Sequence, residues 1–327
     1  MHEIITFGEA MVRLTPPHFQ RLEQARSLDV EIGGAELNTA VGLVRLGHSV
    51  AWASRLPESS LGRLVAARVR EGGVDDRWIR FSSDGRCGLY FLEVGAAPRA
   101  SGILYDRKDS AMSRVEPGMF DWTKVLAGAK WFHTSGITAA LSTGSAAVTK
   151  EGLLAAKAGG LTTSFDLNYR AKLWSPEEAG RVLAGMMPHA DVLIASEGDA
   201  KTLFGVGGET FAEVAKAMCE RFGHRTVAAG RRDASLVWKD RVGAVGYHGG
   251  EVFETPTYEC EVVDRLGGGD AFAAGLIHGL LEGDFAKGLA YGAAIGALKH
   301  TVLGDLPLVS KDEVEAVLAG QGVRIRR

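Results

Sequence analysis

The residues with the clearest capacity for chemistry lie together near the C-terminus, in Asp264-Arg265-Leu266-Gly267-Gly268-Gly269-Asp270-Ala271-Phe272. Phe272, Leu276 and Leu280 follow at helical spacing, so the three glycines stand at a helix start. Without Cβ atoms, Gly267, Gly268 and Gly269 let main-chain N–H groups approach an anion closely, and a helix N-terminus adds unpaired donors with partial positive charge. Such a turn suits the charge that develops on a transferred phosphoryl group. Asp270, in the first turn beside it, can accept the proton of a hydroxyl attacking phosphorus. The same residues also read as a tight turn with a capping Asp, a common use of both. There is no G-x-x-x-x-G-K-[ST], H-E-x-x-H or G-x-S-x-G pattern, and the triple-Gly run lacks dinucleotide-fold spacing.

Composition narrows the partner. A 327-residue chain with 46% hydrophobic residues and a net charge of −3 can bury a large core. Its basic and acidic residues are interspersed, which argues against nucleic acid and anionic membranes and for a small-molecule ligand. Cys87, Cys219 and Cys260 are far apart and odd in number, fitting reduced thiols and a cytoplasmic location. No basic leader precedes the first apolar run, and no run reaches the roughly 18 apolar residues of a membrane span, so neither export nor insertion is expected.

Short apolar runs alternate with helical patterns, the mark of a mostly parallel sheet flanked by helices. Strands are expected at Ile4-Phe7, Val50-Ala53, Lys130-His133, Thr162-Asp166, Val192-Ala195 and Thr226-Ala229. Leu61, Leu64, Val65 and Val69 make one helical core stripe, and Phe211, Val214, Ala215, Met218 and Phe222 another. Two regions break the rhythm. Residues 86–110, with parts of 10–32, predict a small, mostly antiparallel sheet suited to a lid over a cleft within a single 1–327 domain. Ala234-Thr255 predicts a run of short antiparallel strands at one sheet edge.

The Gly267–Asp270 segment closely resembles the C-terminal motif of the ribokinase-like, or PfkB, carbohydrate kinases. The N-terminal counterpart, Gly33-Gly34-Ala35-Glu36-Leu37-Asn38-Thr39-Ala40 followed by Arg45-Leu46-Gly47, is in the right order, and the resemblance spans nearly the whole chain. It implies a Rossmann-like α/β ribokinase fold in which Gly33, Gly34 and Asn38 line a sugar site, Gly267 to Asp270 form an anion hole, and Asp270 is the base. Within the family, Arg265-Leu266-Gly267-Gly268-Gly269-Asp270 and Phe165-Asp166-Leu167-Asn168-Tyr169-Arg170 look most like the 2-keto-3-deoxygluconate kinases, which form the 6-phosphate of an acid sugar. The physical reading agrees. Arg170, just beyond the carboxyl end of a strand, can hold a carboxylate with two parallel hydrogen bonds, or it can pair with a nearby Asp. Asn168 accompanies it, and Tyr90, Tyr105 and Arg107 are lid candidates for further substrate contacts, the tyrosines also reading as core. His133 reads as structural. Arg13 stands where many neutral-sugar relatives place an Asp, which argues against ribokinase or fructokinase, although it also reads as a surface residue.

ATP is expected on the far side of the anion hole, near Ser196, Gly230 and Arg232. The family's Asn-x-x-Glu is Ser196-Glu197-Gly198-Asp199 here, so Asp199 is expected to organise Mg2+ through water, and Ser196 also reads as a helix N-cap. The usual Thr-x-Gly is Ala228-Ala229-Gly230, with Arg231 or Arg232 supplying charge instead. The resemblance also implies a monovalent-cation site near Asp264. Exposed lid strands favour a homodimer or higher homo-oligomer. The alternatives are a kinase of the same family for fructose, ribose or 2-keto-3-deoxygalactonate, a sugar-binding regulator that has lost catalysis, and a dinucleotide-dependent oxidoreductase. Intact Gly267–Asp270 opposes the second, and the absence of a Gly-rich turn after Ile4-Phe7 opposes the third.

Overall fold

Strand Ile4–Phe7 is buried along its whole length and pairs in parallel with Val50–Pro57 on one side and Trp131–Ser135 on the other. All eight residues of Val50–Pro57 and all five of Trp131–Ser135 are buried too. Such runs form where helices cover both faces of a parallel sheet. The computed structural model describes residues 2–236 and 238–321. From Ile4–Phe7 the sheet extends through Val50–Pro57 to Ile79–Ser82 one way, and through Trp131–Ser135, Thr162–Asp166, Val192–Ile194 and Thr226–Leu236 the other, all parallel. Lys239–His248 then pairs antiparallel, carrying Glu251–Glu254 and Tyr258–Glu261.

Three expectations change in detail. Thr226–Leu236 is one long strand rather than a short strand followed by several others. Its polar stretch Arg231-Arg232-Asp233 pairs with Gly243, Val242 and Arg241 in an antiparallel ribbon, which tolerates a solvated face. Leu61, assigned to a core stripe, is 39% exposed, while Val65 and Val69 of the same helix, Ser60–Glu71, are fully buried. Arg13 is no surface residue: it is buried and bridges Asp264 and Asp305.

A second sheet stands apart, formed by Met11–Thr15, Asp29–Gly33, Leu89–Glu93 and Gly102–Asp106. The outer pairs are antiparallel and the central pair, Met11–Thr15 with Leu89–Glu93, is parallel. Register places Arg13, Tyr90 and Tyr105 in one row across a face. Val30, Leu14, Phe91 and Leu104 form a row on the opposite face.

Helix Gly268–Leu281 packs on helix Phe285–Lys299 with backbones in contact, because Cβ atoms at Gly275 and Gly279 would strike Gly292 and Gly288. This fixes where the helix starts and hence where the glycine turn lies. Among the described residues the three cysteines are free thiols, and no helix is long and apolar enough to cross a membrane.

Candidate active site

Gly267 adopts a left-handed conformation, φ 84°, as the N-cap of helix Gly268–Leu281, with its α-carbon packed against the Asp305 carbonyl. A side chain there would be strained and would collide with backbone. No side chain caps the helix, so its first N–H groups have no intrahelical acceptor and open onto a cavity of about 660 Å³ lined by Gly267 to Asp270. Asp270 does not cap the helix. Its Oδ2 accepts a hydrogen bond from Asn38 Nδ2 at 2.7 Å, and no hydrogen bond to Oδ1 occurs among the described residues. Asn38 Oδ1 in turn accepts from the Gly34 N–H at 3.3 Å, and Thr39 Oγ1 donates to the Asp270 carbonyl at 3.2 Å. Helix Ala35–Arg45 thus holds the carboxylate that the glycine turn presents.

Asp166 ends strand Thr162–Asp166 and lines the same cavity with Asn168 and Arg170. Asn168 is left-handed, φ 37°, and its N–H donates to Asp166 Oδ1 at 3.0 Å, turning the chain at the sheet's carboxyl edge. Arg170 is exposed at the cavity wall; its carbonyl accepts from the Leu173 N–H at 2.9 Å, and its guanidinium makes no hydrogen bond or ion pair among the described residues. Burial, then the Asp270 charge, push the Asp166 carboxyl up to about 8, opposed by Arg170. Burial raises Asp270 less, to about 6, because the Asn38 hydrogen bond favours its ionised form. Glu36, buried behind them, is pushed up to about 7 by burial, although the Ser135 and Thr138 hydroxyls donate to its Oε1 at 2.6 and 2.7 Å. Of the two, Asp270 is thus the one more readily ionised near neutral pH, and Asp166 the one more readily protonated.

The other expected site residues fall into two groups. Ser196, Asp199, Gly230 and Arg232 line the cavity beyond the glycine turn. Ser196 Oγ accepts from the Asp199 N–H at 3.0 Å and so caps helix Glu197–Phe204, while Arg231 pairs with Glu254 at 2.9 Å. Gly33, Gly34, Asn38, Tyr90, Tyr105 and Arg107 do not line that cavity. They connect to it through contacts: Gly34 to Asn38 to Asp270, and Gly33 against Tyr90 and Asp305. Tyr90 is buried and donates to Asp305 Oδ2 at 2.6 Å, its ring 5.9 Å from that of Tyr105. The Arg107 guanidinium lies 5.9 Å from the Tyr105 ring and pairs with Glu9. Arg107 Nε is buried without a partner. Lys172 Nζ donates to the Ile103 carbonyl at 3.2 Å, tying the Arg170 loop to the second sheet. His133 is buried, with Nδ1 2.8 Å from Ser164 Oγ, and burial pulls its pKa down to about 3.

The sequence pattern singles out neither Asp166, at the cavity wall, nor Glu36, buried behind it. A carboxylate closing a central parallel strand could have marked Asp166. A Glu in a first helical turn is ordinary dipole compensation and gives no such mark. Among the described residues no group of three or more His, Cys, Asp or Glu side chains could hold a metal.

Residues 1–310 match the pfkB family of carbohydrate kinases. The chain is 43% identical over 326 residues to the 2-dehydro-3-deoxygalactonokinase of Haloferax volcanii, covering 99% of each. Among solved structures it is similar to the 2-dehydro-3-deoxygluconokinase of Thermotoga maritima, with a TM-score of 0.94 and 38% identity over 98% of this chain and 99% of the other. A ribokinase II structure from E. coli in complex with ATP and Mg2+ shares the fold, with a TM-score of 0.86 and 24% identity over 98% of this chain and 100% of the other. The protein belongs to the pfkB family of carbohydrate kinases.

Proposed function

We propose that the protein transfers the γ-phosphoryl group of ATP to the terminal hydroxyl of a 2-keto-3-deoxy sugar acid, with 2-keto-3-deoxygluconate giving its 6-phosphate. The observation that carries this reading is the meeting, in one cavity, of the Asn38-held Asp270 carboxylate, the uncapped Gly267–Gly269 turn and the unpaired Arg170. Asp270 Oδ1 takes the hydroxyl proton as that oxygen attacks the γ-phosphorus and the bond to ADP breaks. The N–H groups of the turn stabilise the charge on the transferring group. Arg170 grips the substrate carboxylate, and the protonated Asp166 donates to a substrate oxygen.

ATP lies along the Ser196, Asp199, Gly230 and Arg232 wall. Mg2+ would supply charge neutralisation on the phosphates, and Asp199, the carboxylate on that side of the cavity, would suit an ion that needs few direct protein ligands. The second sheet serves as the lid, and its outer row is apolar at the tip, Val30 being 43% and Leu104 59% exposed. That row supports a homodimer built lid to lid. The protein is expected to elute as a dimer in size-exclusion chromatography with light scattering and Leu104→Asp to shift it to monomer; a wild-type monomer removes the dimer.

The relative from Haloferax volcanii favours a second reading, in which the galactonate C4 epimer is the better substrate. Both readings share the carboxylate, and Arg170 tests it. A hydrogen bond to a charged group contributes about 1.5–3 kcal/mol, so Arg170→Ala should lower kcat/KM for the acid sugar by roughly one to two orders of magnitude. Arg170→Lys should fall between, since a point charge cannot reproduce the planar fork. Residual activity on neutral sugars should change much less. An equal loss on both classes would assign Arg170 to the phosphates instead.

A further inference from the structure

Lys299 closes helix Phe285–Lys299 and is 0% exposed. Its Nζ donates to the Val302 carbonyl at 3.0 Å and to the Asp264 carbonyl at 3.4 Å. A buried ammonium persists only where oxygens surround it. Here the oxygens belong to the two segments behind the glycine turn. Residues 263–267 lead into the turn, and residues 300–305 pack beneath it: the N–H groups of Val263 and Asp264 donate to the His300 carbonyl, and Gly267 rests on the Asp305 carbonyl.

The surrounding carboxylates are fully engaged. Asp264 accepts from Leu266 N–H, Gly304 N–H and Arg13 Nη2, the last at 2.6 Å. Asp305 accepts from Arg13 Nη1 at 2.7 Å and from the Tyr90 hydroxyl. Arg13 pairs with both Asp264 and Asp305, and the Lys299 ammonium lies within reach of the same two charges and of Asp270. A monovalent cation, which the family resemblance implies near Asp264, would need carbonyl oxygens that Lys299 already uses. It would also stand out of water beside two cations already there, Arg13 and Lys299, an expensive arrangement. The residues do not fit the ion.

We infer that the Lys299 ammonium is a built-in cation that cross-links the two segments behind the anion hole, so that turnover does not depend on a monovalent metal ion. Lys299 is a positioning residue and touches neither substrate. Its charge also reaches the base, because Lys299 is among the groups that favour the ionised form of Asp270.

The experiment replaces K+ by Na+ or tetramethylammonium at constant ionic strength and Mg2+. Wild-type kcat/KM should vary by less than about twofold, while activation of about tenfold or more by K+ or NH4+ would overturn the inference. Lys299→Ala should lose at least about tenfold in tetramethylammonium and recover part of it in K+ or NH4+. The same ions should raise the Tm of the variant and leave that of wild type unchanged. In tetramethylammonium, the acid limb of the variant's kcat/KM profile should move to higher pH, which a purely structural defect would not cause. A folded variant with undiminished activity, or an impaired one that no small cation rescues, contradicts the inference. If Lys299→Ala does not fold in any salt, the wild-type ion series decides alone.

Discussion

Asp270→Asn is expected to lower kcat by about 10²–10⁴, the usual cost of losing a general base. Binding of sugar and nucleotide should change little. The substitution is close to isosteric, and the amide oxygen can still accept from Asn38, which in the native protein donates to Oδ2 at 2.7 Å. The amide nitrogen would then face the substrate hydroxyl, where it can donate a hydrogen bond but cannot take a proton. The wild-type pH profile provides an independent check. Only the ionised carboxylate works as the base, and its pKa is raised to about 6, chiefly by burial. Wild-type kcat/KM should therefore hold above that pH and fall as pH drops through about 6. Steady-state kinetics with isothermal titration calorimetry separates turnover from binding; turnover of the variant within a few-fold of wild type would remove Asp270 from the chemistry.

The second large effect belongs to the glycine turn, and the three glycines are unequal tests of it. Gly267 has φ 84° and lies against the Asp305 carbonyl, so any side chain disturbs the fold. A Cβ at Gly268 would come within 2.7 Å of His300 Cε1. Gly269 is different: a Cβ there meets nothing within 4 Å. Gly269→Val should fold with a Tm within a few degrees of wild type, as substitutions away from packed groups do. Its methyl groups would project into the space the phosphoryl group needs and screen the N–H donors. Losing one such donor typically costs about 10²–10³ in kcat, and Gly269→Val should lose at least that much. Differential scanning fluorimetry alongside the coupled assay checks both halves, and unchanged kcat in a folded protein would reduce the turn to a structural role.

Much of this was legible where function depends on local pattern. Gly267–Asp270 needs only a turn and a helix start, and both lie in one stretch of sequence. Strands such as Ile4–Phe7 and Val192–Ile194 are mostly apolar runs, as the interior of a parallel sheet requires. What escaped notice depends on partners brought together by the fold. Arg13, Tyr90, Asp264, Lys299 and Asp305 come from five separate segments, and no spacing links them. Lys299 reads in sequence as an ordinary basic residue in a last helical turn, where Lys is usually exposed. Arg107 was expected to face substrate; its pairing with Glu9, about a hundred positions upstream, is equally invisible. The polar residues of Thr226–Leu236 break the apolar run that marks a strand in sequence, although an antiparallel ribbon with one wet face permits them.

The proposed phosphoryl acceptor is a sugar acid, recognised through its carboxylate. A coupled ADP-release assay across 2-keto-3-deoxygluconate, its galactonate epimer, gluconate, fructose and ribose, with the product's phosphate position read by ³¹P NMR, tests it most directly. The predicted result is the highest kcat/KM on a 2-keto-3-deoxy acid, phosphorylated at the terminal hydroxyl, with the neutral sugars at least about tenfold lower because they leave Arg170 unpaired. Outright preference for fructose or ribose would contradict the assignment of the acid substrate.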